Sequence, residues 1–247
     1  MYINEIKINN IKDVGLFKKE LEFLLSERNT NLIVTFNLDF LRISTENDKF
    51  KDVCKNAQIV LADGVGITSL LKLKYGISLH RLTGNDLFQI LLGIANGKKL
   101  KLALVGSTTK SLEVLGIKLG KTFPNISLLT ISPPFLFETE ESTNNKVINE
   151  LKNFQPDILI AALGCPRQEI WLSENMKTIN ARINVGVGAA LDFYSGIKRR
   201  APVFLQKIGL EWVWRLLTEP SRLSKRYIIH DLPFFIKQIV KKRTDFE

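Results

Sequence analysis

The chain is poor in the residues from which metal and covalent chemistry are usually built. Two cysteines, Cys54 and Cys165, and two histidines, His80 and His230, stand far apart among 247 residues. Cysteines so separated give neither a disulfide framework nor a thiolate cluster, and a reduced, cytoplasmic compartment is the simpler expectation. No group of His, Cys, Asp and Glu has zinc-ligand spacing. No Asp-x-Asp pair occurs either, so a bound diphosphate would have to be met by helix N-termini and by Arg or Lys. The expectation is metal independence and no cofactor. Nothing matches G-x-x-x-x-G-K-[ST], so the turn Gly106-Ser107-Thr108-Thr109-Lys110 is not a P-loop. No apolar run reaches the ~18 residues of a spanning helix, and the first residues, MYINEIKINNIKD, lack the apolar stretch of a signal peptide.

What is present is an ordinary globular composition, 45% hydrophobic, with a formal charge of +10. From Gly196 onward twelve Lys and Arg face five Asp and Glu, so +7 of the +10 lies in that segment. Such a balance calls for a polyanionic partner: nucleic acid, anionic lipid or a phosphorylated substrate.

Short apolar runs alternate with helical spacings through the first 195 residues. The runs are Tyr2 to Ile8, Leu32 to Phe36, Gln58 to Leu61, Leu102 to Val105, Ser127 to Ile131, Asp157 to Leu163 and Ile183 to Val187. Between them, apolar residues three and four apart predict helices, among them Val65 to Tyr75, Asp86 to Ala95 and a helix opening after Pro166. This alternation predicts an α/β fold with a Rossmann-like, mostly parallel sheet flanked by helices. Gly186-Val187-Gly188 begins a dinucleotide-like pattern, but Leu191 stands at its third position and no helix start is evident there. After Gly196 the strands stop. Val203 to Leu217 and Ile228 to Val240 carry apolar and aromatic stripes with basic residues between, so residues 1–195 read as the α/β unit and 196–247 as a basic helical appendage suited to an anionic membrane surface. Packing of Trp212 and Trp214 on the core is the equally weighted alternative.

In an open parallel sheet, ligands bind at the carboxyl ends of the strands. The polar residues that follow the strands are Thr35 and Asn37; Asp63; Arg81 with Thr83, Gly84, Asn85 and Asp86; Gly106 and Ser107; and Arg167-Gln168-Glu169. Singly, each is explained by a turn or a helix cap. Together on one rim they describe a site that binds a nucleotide and activates a hydroxyl, with Asp63 a catalytic carboxylate and Arg81 an anion or sugar anchor.

The set Thr35-Phe36-Asn37, Ala62-Asp63-Gly64-Val65-Gly66, Arg81-Leu82-Thr83-Gly84-Asn85-Asp86-Leu87, Gly164-Cys165-Pro166-Arg167-Gln168-Glu169 and Gly186-Val187-Gly188 resembles the bacterial WecG/TagA/CpsF glycosyltransferases, glycosyltransferase family 26. The likeness continues through Lys198-Arg199-Arg200-Ala201-Pro202, Gly209-Leu210-Glu211-Trp212, Glu219-Pro220 and Arg226-Tyr227, over roughly residues 30 to 230. The resemblance implies an inverting, UDP-sugar-dependent hexosyltransferase, peripheral on the inner face of the cell membrane. Its donor would be UDP-N-acetylmannosamine or a related hexose or uronic acid, and its acceptor a sugar on undecaprenyl diphosphate. By position, Asp63 would be the general base, and Thr35, Asn37, Arg81 and Gln168 would be further pocket residues. Arg215, Arg222, Lys225 and Arg226 would be the cations that the appendage brings. Backbone N–H groups near Gly106 or Gly188 are candidates for the leaving diphosphate. Phe36, Asp39 and Ala189-Ala190-Leu191 depart from the family's usual residues, and these positions bear on sugar identity more than on reaction class. The rivals are a nucleic-acid binder, for which no reading module is found, and a non-catalytic UDP-sugar sensor, against which the intact Asp63 speaks. The sequence leaves room for a homo-oligomer.

Overall fold

The computed structural model describes residues 1–240. Lys241, Lys242 and Arg243, counted above in the basic tail, lie outside the described residues. A small antiparallel hairpin, β1 (Tyr2–Ile3) and β2 (Ile6–Lys7), leads into α1 (Val14–Ser26). There follow β3 (Asn31–Phe36), α2 (Leu38–Ser44), α3 (Asp48–Lys55), β4 (Ile59–Ala62), α4 (Val65–Tyr75) and α5 (Gly84–Lys98). The second half runs β5 (Lys101–Gly106), α6 (Thr109–Thr122), β6 (Ser127–Ile131), α7 (Glu141–Phe154), β7 (Ile158–Ala162), α8 (Arg167–Ile179), β8 (Ile183–Gly186) and α9 (Ala190–Ser195). The appendage consists of α10 (Val203–Lys207), α11 (Glu211–Thr218), α12 (Pro220–Ser224), a π-helical stretch (Lys225–Asp231) and α13 (Leu232–Val240).

Six strands form one parallel sheet in the order β4-β3-β8-β7-β5-β6. A parallel sheet needs helices on both faces, so its inner strands are buried on both sides along most of their length. β3, with all six residues buried, is the clearest case. One core packs on each face. Val34, Phe36, Val60, Leu159 and Trp171 belong to one, and Ile33, Ile59, Leu61, Leu104 and Ile160 to the other. The β4 edge is closed by Asn9, whose N–H donates to the Val60 carbonyl while its side chain accepts from the Val60 N–H.

The structure adds elements that periodicity did not reveal. α2 and α3 are short and begin at asparagines, Asn37 and Asn47, whose side chains accept from Phe40 and Phe50 N–H. α9 does start soon after Gly188, at Ala190, contrary to the expectation that no helix begins there. The signal was weak because Ala189 supplies no side-chain cap. The stretch Val203 to Leu217, which carries one of the apolar stripes, forms two helices, broken where Gly209 takes a left-handed conformation. Among the described residues no helix is long and apolar enough to cross a membrane.

Candidate active site

β4 delivers Asp63 to the rim. Its backbone N–H donates to the Phe36 carbonyl, 2.8 Å, which ties the end of β4 to the end of β3. Gly64 then turns the chain at φ +92°, a conformation in which a β-carbon is disfavoured, and α4 begins. The chain returns at Leu82, whose N–H donates to the Ala62 carbonyl, and this brings Arg81 to the cavity that Asp63 lines. Thr83 and Asp86 form a reciprocal capping box at the start of α5. That cap leaves the Gly84 N–H free to donate to Asp63 Oδ2 at 3.2 Å.

Burial pushes the Asp63 carboxyl up to about 6. The Gly84 N–H and the Arg215 guanidinium pull the other way, while Glu211 and Asp86 add to the rise. A carboxylate so placed is ionised at neutral pH yet holds a proton more readily than one in water, as a general base requires.

Asp63 opens onto a cavity of about 380 Å³, within the range of small-ligand sites. The floor comes from the rim of β3, β4 and β8, and the appendage supplies the opposite wall with Arg200, Trp212, Arg215, Arg226 and Tyr227. Arg215 stacks over the Phe193 ring at 5.6 Å, and its buried Nε has no hydrogen-bond partner among the described residues. Arg81 lines the same cavity and donates to the Gln206 carbonyl of α10 at 3.0 Å. A carboxylate and two guanidiniums thus face one space large enough for a sugar and a diphosphate.

Residues 1–246 match the model described as the glycosyl transferase WecG/TagA/CpsF family. The chain belongs to this family. Similar proteins include those of Staphylococcus aureus strains COL and NCTC 8325, each 28% identical over 223 residues, 90% of this chain and 84% of theirs. Both are named N-acetylglucosaminyldiphosphoundecaprenol N-acetyl-beta-D-mannosaminyltransferase.

In this member of the WecG/TagA/CpsF family, Asp63, Arg81, Asn37, Thr83, Gly84, Arg215 and Arg226 are brought to the cavity. Other expected residues lie behind or beside it. Thr35 is buried, its hydroxyl donating to the Gly186 carbonyl between β3 and β8. Gln168 is a clamp: its Oε1 accepts from the N–H groups of both Gly164 and Gly188, and its Nε2 donates to the buried Glu169 carboxyl at 2.6 Å. Asp86 serves the α5 cap and lies 3.7 Å from Arg200. Gly106 ends β5 and Ser107 follows it, four strand positions from β4 and so about 19 Å along the rim. There the Ser107 hydroxyl bonds Asp192. Arg167 pairs with Glu138 and stacks on Phe135 at 4.6 Å. Arg222 pairs with Glu219 at 2.7 Å, and Lys225 is exposed.

Cavity residues that sequence reasoning did not name as site residues are Asp39, Ser69, Glu211, Trp212, Tyr227 and Asp231, together with Arg200. Arg200 was hidden in the basic run Lys198-Arg199-Arg200. Only the fold shows that Arg199 is exposed while Arg200 turns inward to Glu211 at 3.1 Å.

The Gln168 clamp gives a test. A β-carbon at Gly186 would fall 2.5 to 2.7 Å from Gln168 Nε2, Cδ and Cγ, and that side chain is fixed at both ends of its amide. Gly186→Ala is expected to displace the amide, free the Gly164 and Gly188 loops, and cost about 1–3 kcal/mol in urea unfolding. An unchanged unfolding midpoint would show that the clamp is slack.

Proposed function

We propose that this chain is an inverting glycosyltransferase. In this reading it moves N-acetylmannosamine from its UDP conjugate to an N-acetylglucosamine carried on undecaprenyl diphosphate, at the inner membrane face, in cell-surface polysaccharide synthesis. The observation that carries the reading is the rim carboxylate Asp63 sharing one cavity with Arg215, whose buried Nε has no hydrogen-bond partner among the described residues. The names of the similar Staphylococcus aureus proteins supply the transferred sugar and the lipid-linked acceptor.

The acceptor hydroxyl oxygen attacks the anomeric carbon from the face opposite UDP, and its proton passes to Asp63. The bond from that carbon to the diphosphate oxygen breaks, and the electron pair leaves with UDP. A single displacement inverts the anomeric centre and needs one carboxylate, whereas a covalent route would need a second, nucleophilic one. Burial pushes the Cys54 and Cys165 thiols up, so neither offers a thiolate as an alternative nucleophile. As UDP departs, negative charge grows on the diphosphate, and fixed guanidiniums aimed there lower the barrier most. Arg81 and Arg215 take that role. The uridine end extends along the rim towards Gly188, Gly106 and Ser107. With arginines as the counter-charge the reaction is metal-independent, and a chelator leaves turnover unchanged.

The appendage faces the bilayer. Leu217, Ile229, Ile236 and Val240 are each more than half exposed, while Arg200, Arg222 and Arg226 are paired with carboxylates. An exposed face of Ile, Leu and Val suits lipid better than a nucleic-acid backbone.

Two outcomes follow. With a short-chain diphosphate-linked N-acetylglucosamine and a panel of UDP-sugars, Asp63→Asn is expected to lower kcat by about 10² to 10⁴ and to leave UDP affinity nearly unchanged. Wild-type turnover in that variant, or no turnover by the wild type with any UDP-sugar, would overturn the proposal. Ile229→Asp combined with Ile236→Asp is expected to abolish sedimentation with anionic vesicles while short-chain turnover persists; undiminished sedimentation would place the membrane contact elsewhere.

A further inference from the structure

The cations of the appendage are not equivalent. Arg215 faces the cavity with an Nε that has no partner among the described residues, whereas Arg226 is already engaged. Its Nε lies 3.1 Å from Asp39 Oδ2 and 3.4 Å from Asp231 Oδ2, and its Nη2 lies 3.5 Å from Asn37 Oδ1 at the N-terminus of α2. Asp39 and Asp231 are both buried. The other oxygen of Asp39 meets Arg42 at 2.7 Å, and Arg42 Nε lies 3.9 Å from Asp231 Oδ1. Two buried carboxylates and two guanidiniums therefore balance. The pairs cross between α2 of the sheet unit and the appendage, and no net positive charge is left over for a substrate anion.

The backbone is bent to make this arrangement. In an α-helix, residues five apart point about 140° away from each other. The stretch Lys225–Asp231 is instead a π-helix, whose wider turn brings residues five apart towards one face. Arg226 and Asp231 are such a pair, and both meet α2 there. The next residue, Tyr227, packs edge-on against Trp212 with ring centroids 6.2 Å apart, and Trp212 lies on α11 one turn before Arg215. A mechanical line thus runs from Asp39 through Arg226, Tyr227 and Trp212 to Arg215.

We infer that Asp39 and Arg226 form a latch that docks the appendage over the cavity, so that Asp39 is a positioning residue acting through Arg226 on the placement of Arg215. Arg226 is then a structural cation and not a ligand of the diphosphate. This goes beyond the proposed transfer reaction and rests on it only for its kinetic consequence.

The test is a double-mutant cycle on the full chain with Asp39→Asn, Arg226→Gln and the double variant, and with Asp39→Glu as the conservative control. The first readout is tryptic cleavage within the appendage, at the exposed Arg222 and Lys225, without substrate. The second is kcat on the short-chain acceptor together with affinity for UDP. Each single variant is expected to cleave about tenfold faster, the double no faster than either single, because partners in one pair are not additive. Asp39→Glu should stay within about threefold of wild type on the same reasoning. kcat should fall in parallel with UDP affinity retained. Additive effects, wild-type cleavage in Asp39→Asn, or loss of UDP affinity in Arg226→Gln alone would overturn the latch. If no variant and no wild-type preparation transfers sugar, the cleavage cycle still decides the latch, and only the proposed reaction fails.

Discussion

A carboxylate taken out of water next to a guanidinium is the constraint on which the rest of this molecule turns. Among the described residues Asp63 has one backbone donor, the Gly84 N–H, and one nearby cation, Arg215, and these do not fully compensate its burial. Left to itself, such a group would either be solvated or be locked into an ion pair. The fold prevents both. β3 and β4 fix the backbone of Asp63, the capping box of α5 directs one N–H at it, and the appendage closes the far side.

The appendage is therefore part of the site and not an accessory to it. It contributes Arg200, Trp212, Arg215, Arg226 and Tyr227 to the cavity, and most of its buried charge is spent on holding itself there. Breaking a buried pair by removing one partner leaves a charge without compensation, typically several kcal/mol. Membership in the WecG/TagA/CpsF family and the two-sided cavity are thus consistent: the sheet unit brings Asp63 and Arg81 to the cavity, and the helices after Gly196 bring Arg215.

The parallel sheet was legible in the sequence because each inner strand is a short, mostly apolar run, and the alternation with helical spacing leaves few other topologies. Asp63, Arg81 and Asn37 were legible because strand ends are where polar residues have to be explained. Other features were not. Thr35 and Gln168 look like rim residues in one dimension, yet Thr35 bonds Gly186 within the sheet and Gln168 stitches two loops from behind. Which strand ends share a cavity depends on strand order: β3, β4 and β8 do, while Gly106, at the end of β5, lies further along the rim. The pairing of Asp39 and Asp231 with Arg226 depends on a π-helical turn, for which periodicity gives no signal.

The most direct test of the central claim is the pH dependence of kcat for sugar transfer. Asp63 has to be ionised to accept the hydroxyl proton, and its carboxyl stands at about 6. The account predicts a rate that is level above neutrality and falls about tenfold per pH unit on the acid side of that value. Asp231, also raised to about 6, is a second candidate for that limb, so Asp231→Asn has to retain the limb while the residual rate of Asp63→Asn loses it. A profile flat down to pH 4.5, or a limb that survives in Asp63→Asn and vanishes in Asp231→Asn, would contradict the assignment of Asp63 as the base.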